Sequence, residues 1–522
     1  MAAGARLSIR TGAMAAGMFA CLAGALADPG ATYAAGGSAA PPNGKLIYRK
    51  GRAAAPPAIQ ARLDNGPAQS GENFTCAGCH GARGEGGQQA ALRVPPIDWA
   101  TLTAPRPKSA FWRPRGGYDA NTLKRVILQG VDADGAALGP GMPRFTMSGG
   151  QAAALAAYLQ VIGTDADNDP GVSADSVTIG AALPLSGPMA GLGAQVLAKL
   201  QSVFDEVNGK GGIYQRRIAL VTADSGSDTA GALAATRRLA DADVFALVAN
   251  FQPAEPDAFN GLVAGAEIPS IGPLGQAPLE SARQNPFVWH LLPTFADQAR
   301  ALADDIVTGG LRDPARAPRV ALVSADTPNA SDALRGAKAQ LAIARAAVTS
   351  EIRYEGGALF SPEVVSKIAD GDPEWILFFG PAADLRQLAA QIAKSGGKAP
   401  AIGAMTLLSP VSYNQTTFQQ LDMAFVAPIF LESAPDVAAT ELQGSNSPVF
   451  QMMAAAAART LVEAMSRAGR NLDRSALQAE LERLRDFETG VLPPLSFSRG
   501  NHVGLRAAAI LRITRAPRQL RP

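Results

Sequence analysis

One pentapeptide constrains this chain more than any other feature: Cys76-Ala77-Gly78-Cys79-His80. The 522 residues include only three cysteines and three histidines, so two of the first and one of the second fall within five positions. Two thiols at i and i+3 followed by an imidazole match the pattern for covalent haem attachment. The spacing lets the thiols form thioethers along one edge of a porphyrin and places the histidine under its iron. Rival readings are a redox-active dithiol, a closed loop between neighbouring sulfurs, or half of a zinc site. Zinc would need two more ligands, and only His290 and His502 remain, far along the chain. A dithiol oxidoreductase would set the pair at the start of a helix in a βαβ unit, whereas the surroundings here read as loop.

The N-terminus reads as an export signal over residues 1–27. Arg6 and Arg10 precede a small, apolar stretch from Thr11 to Ala27, and Ala25-Leu26-Ala27 before Asp28 has the small-x-small cleavage pattern. The alternative, a retained membrane anchor, meets a run that is glycine-interrupted and shorter than the ~20 apolar residues of a span. Cys21 invites a lipoprotein reading, but Met18-Phe19-Ala20 matches that pattern poorly. Cleavage removes Cys21, leaves Cys76 and Cys79 as the mature thiols, and places the protein in the periplasm. Residues 28–42, rich in Ala, Gly and Pro, are expected to be a flexible lead. No later segment is long and apolar enough to span a membrane.

The region around the pentapeptide supplies helices and a candidate second ligand. Gly44-Lys45-Leu46-Ile47-Tyr48 opens one helix. Asp119 caps another carrying Leu123, Val126 and Ile127, and Ser148 to Gln151 is a capping box starting a helix through Ile162. Gly44 would let the first and last of these cross closely, bringing Tyr48 near Leu155 and Tyr158. Gly139-Pro140-Gly141-Met142-Pro143 is a stiffened loop holding a thioether 62 residues after His80. Residues 43–163 thus resemble the class I c-type cytochromes. That resemblance implies one covalent haem c, with Cys76 and Cys79 as thioether residues and His80 and Met142 as axial ligands. It also implies the Pro95 carbonyl as the partner of the His80 ring N–H. Met147 is the rival distal ligand. Trp112, Arg113 and Tyr118 are candidates for the propionates, and the long segment between Tyr48 and Cys76 is expected to loop over the haem edge. A His/Met-ligated iron has no open position, which favours one-electron transfer over catalysis.

Residues 164–175 are a polar linker. Beyond it, short β-branched runs alternate with helical stretches: Val177–Ile179, Ile218–Thr222, Phe245–Val248 and Ile268–Ile271, then, after a break, Val320–Val323 and Trp375–Phe379. This βαβα rhythm implies parallel sheets covered on both faces, in two lobes with a cleft between. Ile179-Gly180-Ala181-Ala182-Leu183-Pro184-Leu185-Ser186-Gly187-Pro188, then Val207-Asn208-Gly209-Lys210-Gly211-Gly212-Ile213, Ala223-Asp224-Ser225 and Ile268-Pro269-Ser270-Ile271-Gly272-Pro273, resemble type I periplasmic solute-binding proteins of the branched-chain amino-acid receptor kind. The resemblance implies a ligand cleft on loops at the strand ends, with Ser186, Gln252, Gln276, Thr294 and Asn329 as candidate contacts. The loop Asn250-Phe251-Gln252-Pro253-Ala254-Glu255 departs from the family, lacking hydroxyl groups for a carboxylate and adding an acid; this speaks against an α-amino acid. His290 is expected to be a packed strand residue, and Met452-Met453 with the alanines after it a buried helix.

The expected architecture is therefore multidomain: a small all-α cytochrome c domain (43–163) followed by a two-lobed α/β binding-protein domain of doubly wound parallel sheets (176–522). A net charge of +2 offers no basic excess for nucleic acid, and a 47% hydrophobic composition excludes disorder. No nucleophile–base constellation points to an enzyme. The expected role is a periplasmic electron carrier accepting electrons from a dehydrogenase, with a fused body for a small ligand or partner. The alternatives are a receptor for an ABC-type importer with an accessory haem, and a haem-based sensor.

Overall fold

Two helices crossing at a glycine organise the N-terminal body. The computed structural model describes residues 42–513 apart from 64–65, 90–91, 253–255, 276, 310–317, 356–361, 395–398, 407–417 and 428–447; the expected signal and the lead up to residue 41 lie outside the described residues. The helices of this body are α1 (Pro42–Lys50), α2 (Cys76–His80), α3 (Trp99–Thr103), α4 (Ala120–Gln129) and α5 (Gly149–Leu159). A Cβ on Gly44 would run into the Ala154 carbonyl oxygen and the Tyr158 Cβ, so only glycine lets α1 lie this close to α5. Tyr48 and Tyr158, both fully buried, then meet with ring centroids 5.4 Å apart. Capping boxes start α4 (Asp119 with Thr122) and α5 (Ser148 with Gln151). Leu123 and Ile127 of α4 join Leu155 and Leu159 of α5 in one core.

This body is not purely helical. Strand β1 (Gln60–Arg62) pairs with β2 (Gln69–Ser70) and with β5 (Arg144–Thr146), while β3 (Gly87–Gln89) and β4 (Leu92–Val94) form a hairpin. The inserted segment before Cys76 was expected over the haem edge. Ile59 and Ala61 are instead buried in the helical core on either side of Gln60, and that alternation commits the segment to a strand beside β5.

In the second body the first sheet runs β6 (Ser176–Leu183), β7 (Arg217–Asp224), β8 (Ala246–Val248), β9 (Ser270–Ile271) and β10 (Val288–Trp289) in chain order, and β10-β9-β8-β6-β7 in space, all parallel. Helices α6 (Ala190–Gly209), α7 (Thr229–Asp241) and α8 (Pro256–Gly265) connect it. After α9 (Phe295–Thr308) comes the second sheet, built from β11 (Arg319–Ala325), β12 (Ala347–Tyr354), β13 (Trp375–Gly380), β14 (Ala401–Thr406) and β15 (Met423–Ala427). Helices α10 (Pro328–Ile343), α11 (Pro362–Ala369) and α12 (Ala382–Lys394) accompany it. Its spatial order is β12-β11-β13-β14-β15-β16, parallel until β16 (Ala509–Ile513), which is antiparallel to β15. Between β15 and β16 the chain revisits the first lobe: in α13 (Pro448–Ala468), Met453, Ala457, Leu461 and Met465 share a core with Val177 and Ile179 of β6, and α14 (Arg474–Leu481) follows.

Buried charge joins the two bodies. Lys45 of α1 donates to Asp169 Oδ1 at 2.7 Å, and Arg49 pairs with Asp473 and Asp167. Tyr158 donates to Asp167 Oδ1 at 2.8 Å. Asp473 is the N-cap of α14, accepting from Ala476 N–H at 2.8 Å. The Arg474 backbone N–H bonds Asp169 Oδ2 at 2.6 Å, while its guanidinium donates to the Val244, Phe245 and Ala266 carbonyls. Removing one partner from such a network strands the others without water, at about 3–5 kcal/mol. Arg49→Met is therefore expected to lower the first thermal transition by several degrees and to expose residues 164–175 to limited proteolysis, read by calorimetry and by fragment mapping.

Candidate haem centre

Local backbone chemistry sets the pentapeptide. Thr75 caps α2, its hydroxyl accepting from Gly78 N–H at 3.1 Å, and Gly81, at φ +82°, ends the helix after a single turn. Cys76 and Cys79 thereby share one helical face, and neither is in a disulfide. Burial pushes the Cys76 thiol up to about 12, the opposite of the depressed value that a reactive dithiol needs.

His80 is 7% exposed and its Nδ1 lies 2.9 Å from the Pro95 carbonyl oxygen. A carbonyl can only accept, so Nδ1 carries the hydrogen and Nε2 keeps its lone pair. Burial lowers the His80 pKa against the opposing pull of that bond, which keeps the ring neutral, as a metal ligand must be. Behind it, Tyr48 donates to the Gly81 carbonyl at 2.7 Å.

Cys76, Cys79, His80, Pro95 and Met142 all line one cavity of about 420 Å³, with apolar walls from Leu102, Leu123, Ile127, Phe145, Leu155 and Leu159. Met147 is not among its lining residues and packs against the helical core. Arg144, which the sequence reading passed over, pins the methionine loop: its guanidinium donates to the Met142 carbonyl and, at 2.8 Å, to that of Leu138.

The rim is cationic. Arg106 and Arg115 are held side by side by reciprocal backbone bonds of 2.8 and 3.0 Å. The Arg115 guanidinium lies 4.3 Å from the Tyr118 ring centroid, and that of Arg106 lies 5.8 Å from that of Trp112. Arg113 is committed to Asp132 at 2.7 Å. Arg106 Nε is buried and has no partner; burial and the neighbouring Arg115 lower its pKa. An orphaned cationic donor on an otherwise apolar cavity calls for an anionic acceptor. Haem fits: it would supply an apolar macrocycle for the walls, two carboxylates for the rim, two vinyl groups on one edge for the thiols and a metal for the imidazole and thioether. The signal in the sequence was the acid-free run from Arg106 to Arg115, which also holds Lys108 and Arg113.

The cleft candidates of the second body divide. Gln252 and Asn329 line a common cavity of about 500 Å³. Ser186 is exposed and bonds Asp224. Thr294 is fully buried, capping α9 through Asp297 N–H at 3.0 Å and donating to Glu280 at 3.1 Å. Gln276 lies outside the described residues. His290 is 4% exposed at the end of β10.

Comparison with known proteins agrees with this division into two bodies. The cytochrome c family matches residues 64–162, and the periplasmic binding protein family matches residues 176–517. Among solved structures, a fatty acid ABC transporter substrate-binding protein from Thermomonospora curvata is similar at 20% identity and a TM-score of 0.50, over 66% of this chain and 90% of its own. A putative branched-chain amino acid ABC transporter from Rhodospirillum rubrum is similar at 18% identity and a TM-score of 0.52, over 65% of this chain and 98% of its own. At such identities the likeness is one of fold. No curated protein matches the chain. The chain is a member of the periplasmic binding protein family that carries a cytochrome c domain ahead of its binding-protein body.

Proposed function

We propose that residues 43–163 carry one covalent haem c and act as a periplasmic one-electron carrier, with residues 176–522 as a fused solute-binding body. The observation that carries this reading is the gathering of Cys76, Cys79, His80, Pro95 and Met142 on one apolar cavity. When bound, the haem supplies a one-electron couple. Cys76 and Cys79 would hold it by thioethers, and the Pro95 carbonyl orients the His80 ring so that Nε2 is free for the iron. The Met142 loop, pinned by Arg144, would offer its thioether to the iron, and Arg106 would neutralise a propionate. The aliphatic walls exclude water and penalise the more highly charged oxidised state, which raises the potential. Leu92 and Phe111 line the same cavity while 49% and 60% exposed, so a group seated there has an edge within reach of a partner. A periplasmic dehydrogenase is the donor we propose, consistent with both families being typically periplasmic.

A second reading, in which solute occupancy and haem potential are linked, is favoured by the path from Tyr48 on the haem cavity to Arg49 and thence to Asp473 of the second body. Linkage requires any solute that shifts the potential to bind the two redox states with correspondingly different affinities; equal affinities rule this reading out.

The carrier assignment is tested by stopped-flow mixing of the reduced protein with an oxidised one-electron acceptor protein. The expected result is single-exponential oxidation, first order in acceptor and unaffected by added solutes; no reaction contradicts it. Met142→Ala is expected to convert a low-spin spectrum to a high-spin one and to lower the potential, while Met147→Ala leaves both in place; the reverse pattern assigns the ligand to Met147. Arg106→Gln removes a positive charge from the rim and is expected to lower the midpoint potential, measured by redox titration; an unchanged potential contradicts its placement at a propionate.

A further inference from the structure

The cavity of about 500 Å³ in the second body has a chemistry that limits what it can hold. One wall is a face of α8, where Asp257, Asn260 and Ala264 recur at helical spacing; Gln252, Asn329 and His290 are among the other polar residues that line it. Among the described residues no lysine or arginine lines it, so a carboxylate or a zwitterionic amino acid would meet no cationic side chain there. Asp257, the one acid among the described lining residues, stands at the exposed edge.

Two of these polar side chains, Asn260 and His290, present unpaired atoms to the cavity among the described residues. Asn260 Oδ1 is buried and makes no hydrogen bond. The His290 side chain, 4% exposed, makes no hydrogen bond among the described residues, and burial, with His502 nearby, pushes its pKa down to about 4, so it is neutral at pH 7. Gln252 is held through its backbone N–H, which bonds the Leu274 carbonyl at 2.6 Å, leaving its carboxamide for the cavity. Each of these side chains both donates and accepts. Hydroxyl groups do the same, and the volume lies in the range of small-ligand sites.

We propose that this cavity binds an uncharged, polyhydroxylated small molecule of monosaccharide or polyol size, held by Gln252, Asn260 and His290. The proposal rests on reading residues 176–517 as a solute-binding body and names the ligand class of that body.

The test is isothermal titration calorimetry of the full, haem-loaded protein with D-glucose, D-xylose, D-mannitol and myo-inositol, set against L-leucine and L-glutamate. At least one of the four neutral probes is expected to bind saturably. Asn260→Leu and His290→Leu are each expected to weaken it about tenfold or more, the loss of a hydrogen bond with a polar group left unpaired, with the visible spectrum unchanged. Should His290→Leu fail to fold, Asn260→Leu on the outer helix decides. Binding of leucine or glutamate without any neutral probe overturns the ligand class but keeps the solute-binding reading; silence from all six removes both. Binding of a neutral probe that both variants leave intact places it elsewhere and overturns the proposal.

Discussion

The N-terminal site depends on the hydrogen bond between His80 Nδ1 and the Pro95 carbonyl, because that bond decides which ring nitrogen is free. The chain brings the two together over fifteen residues by folding back on itself. Gly86 N–H bonds the His80 carbonyl at 2.8 Å and Ile97 N–H bonds that of Gly84 at 2.7 Å. Gly86 sits at φ +71°, where a Cβ would collide with the Val94 carbonyl oxygen and the Pro95–Pro96 backbone; a side chain there would push Pro95 away from the ring. The single turn of α2, the β3–β4 hairpin and the position of His80 therefore form one mechanical unit, and the thiols and Met142 matter only once the imidazole is set.

The second constraint is the charge network at the junction. Tyr48 and Arg49 are neighbours on α1, one on the haem cavity and the other bound to Asp473, whose carboxylate also caps α14. Lys45 and Arg474 share Asp169. An exposed ion pair contributes little, but buried carboxylates that each satisfy two or more donors leave few alternative arrangements. The N-terminal body is thereby joined to the first lobe of the binding protein.

Most of this architecture was legible in the sequence because the governing signals are local. The pentapeptide, the capping boxes at Asp119 and Ser148, the Gly44 crossing and the βαβ alternation each need only a short window, and the structure places helices and strands where those windows fall. What stayed hidden depends on distant pairs. The insertion before Cys76 looked like a loop because its strand is three residues long and its partner, β5, lies some 80 residues on. The return of α13 to the first lobe, after the second sheet, carries no periodicity of its own. Arg144 gave no motif, since its role comes from carbonyls that converge only in the fold, and the basic run holding Arg106 does not show which of its cations reaches the cavity. Thr294 looked like a cleft hydroxyl, yet the capping box it forms with Asp297 was visible as Thr-x-x-Asp and turns its oxygen inward.

The central claim is that the two thiols of α2 hold a haem covalently. Mass spectrometry of the purified, denatured mature protein tests it most directly. The account predicts a chain heavier by one haem, the added mass surviving acid and denaturant and disappearing when Cys76 and Cys79 are both replaced by alanine. A chain at its bare polypeptide mass, purified from cells that load other covalent cytochromes normally, would contradict it.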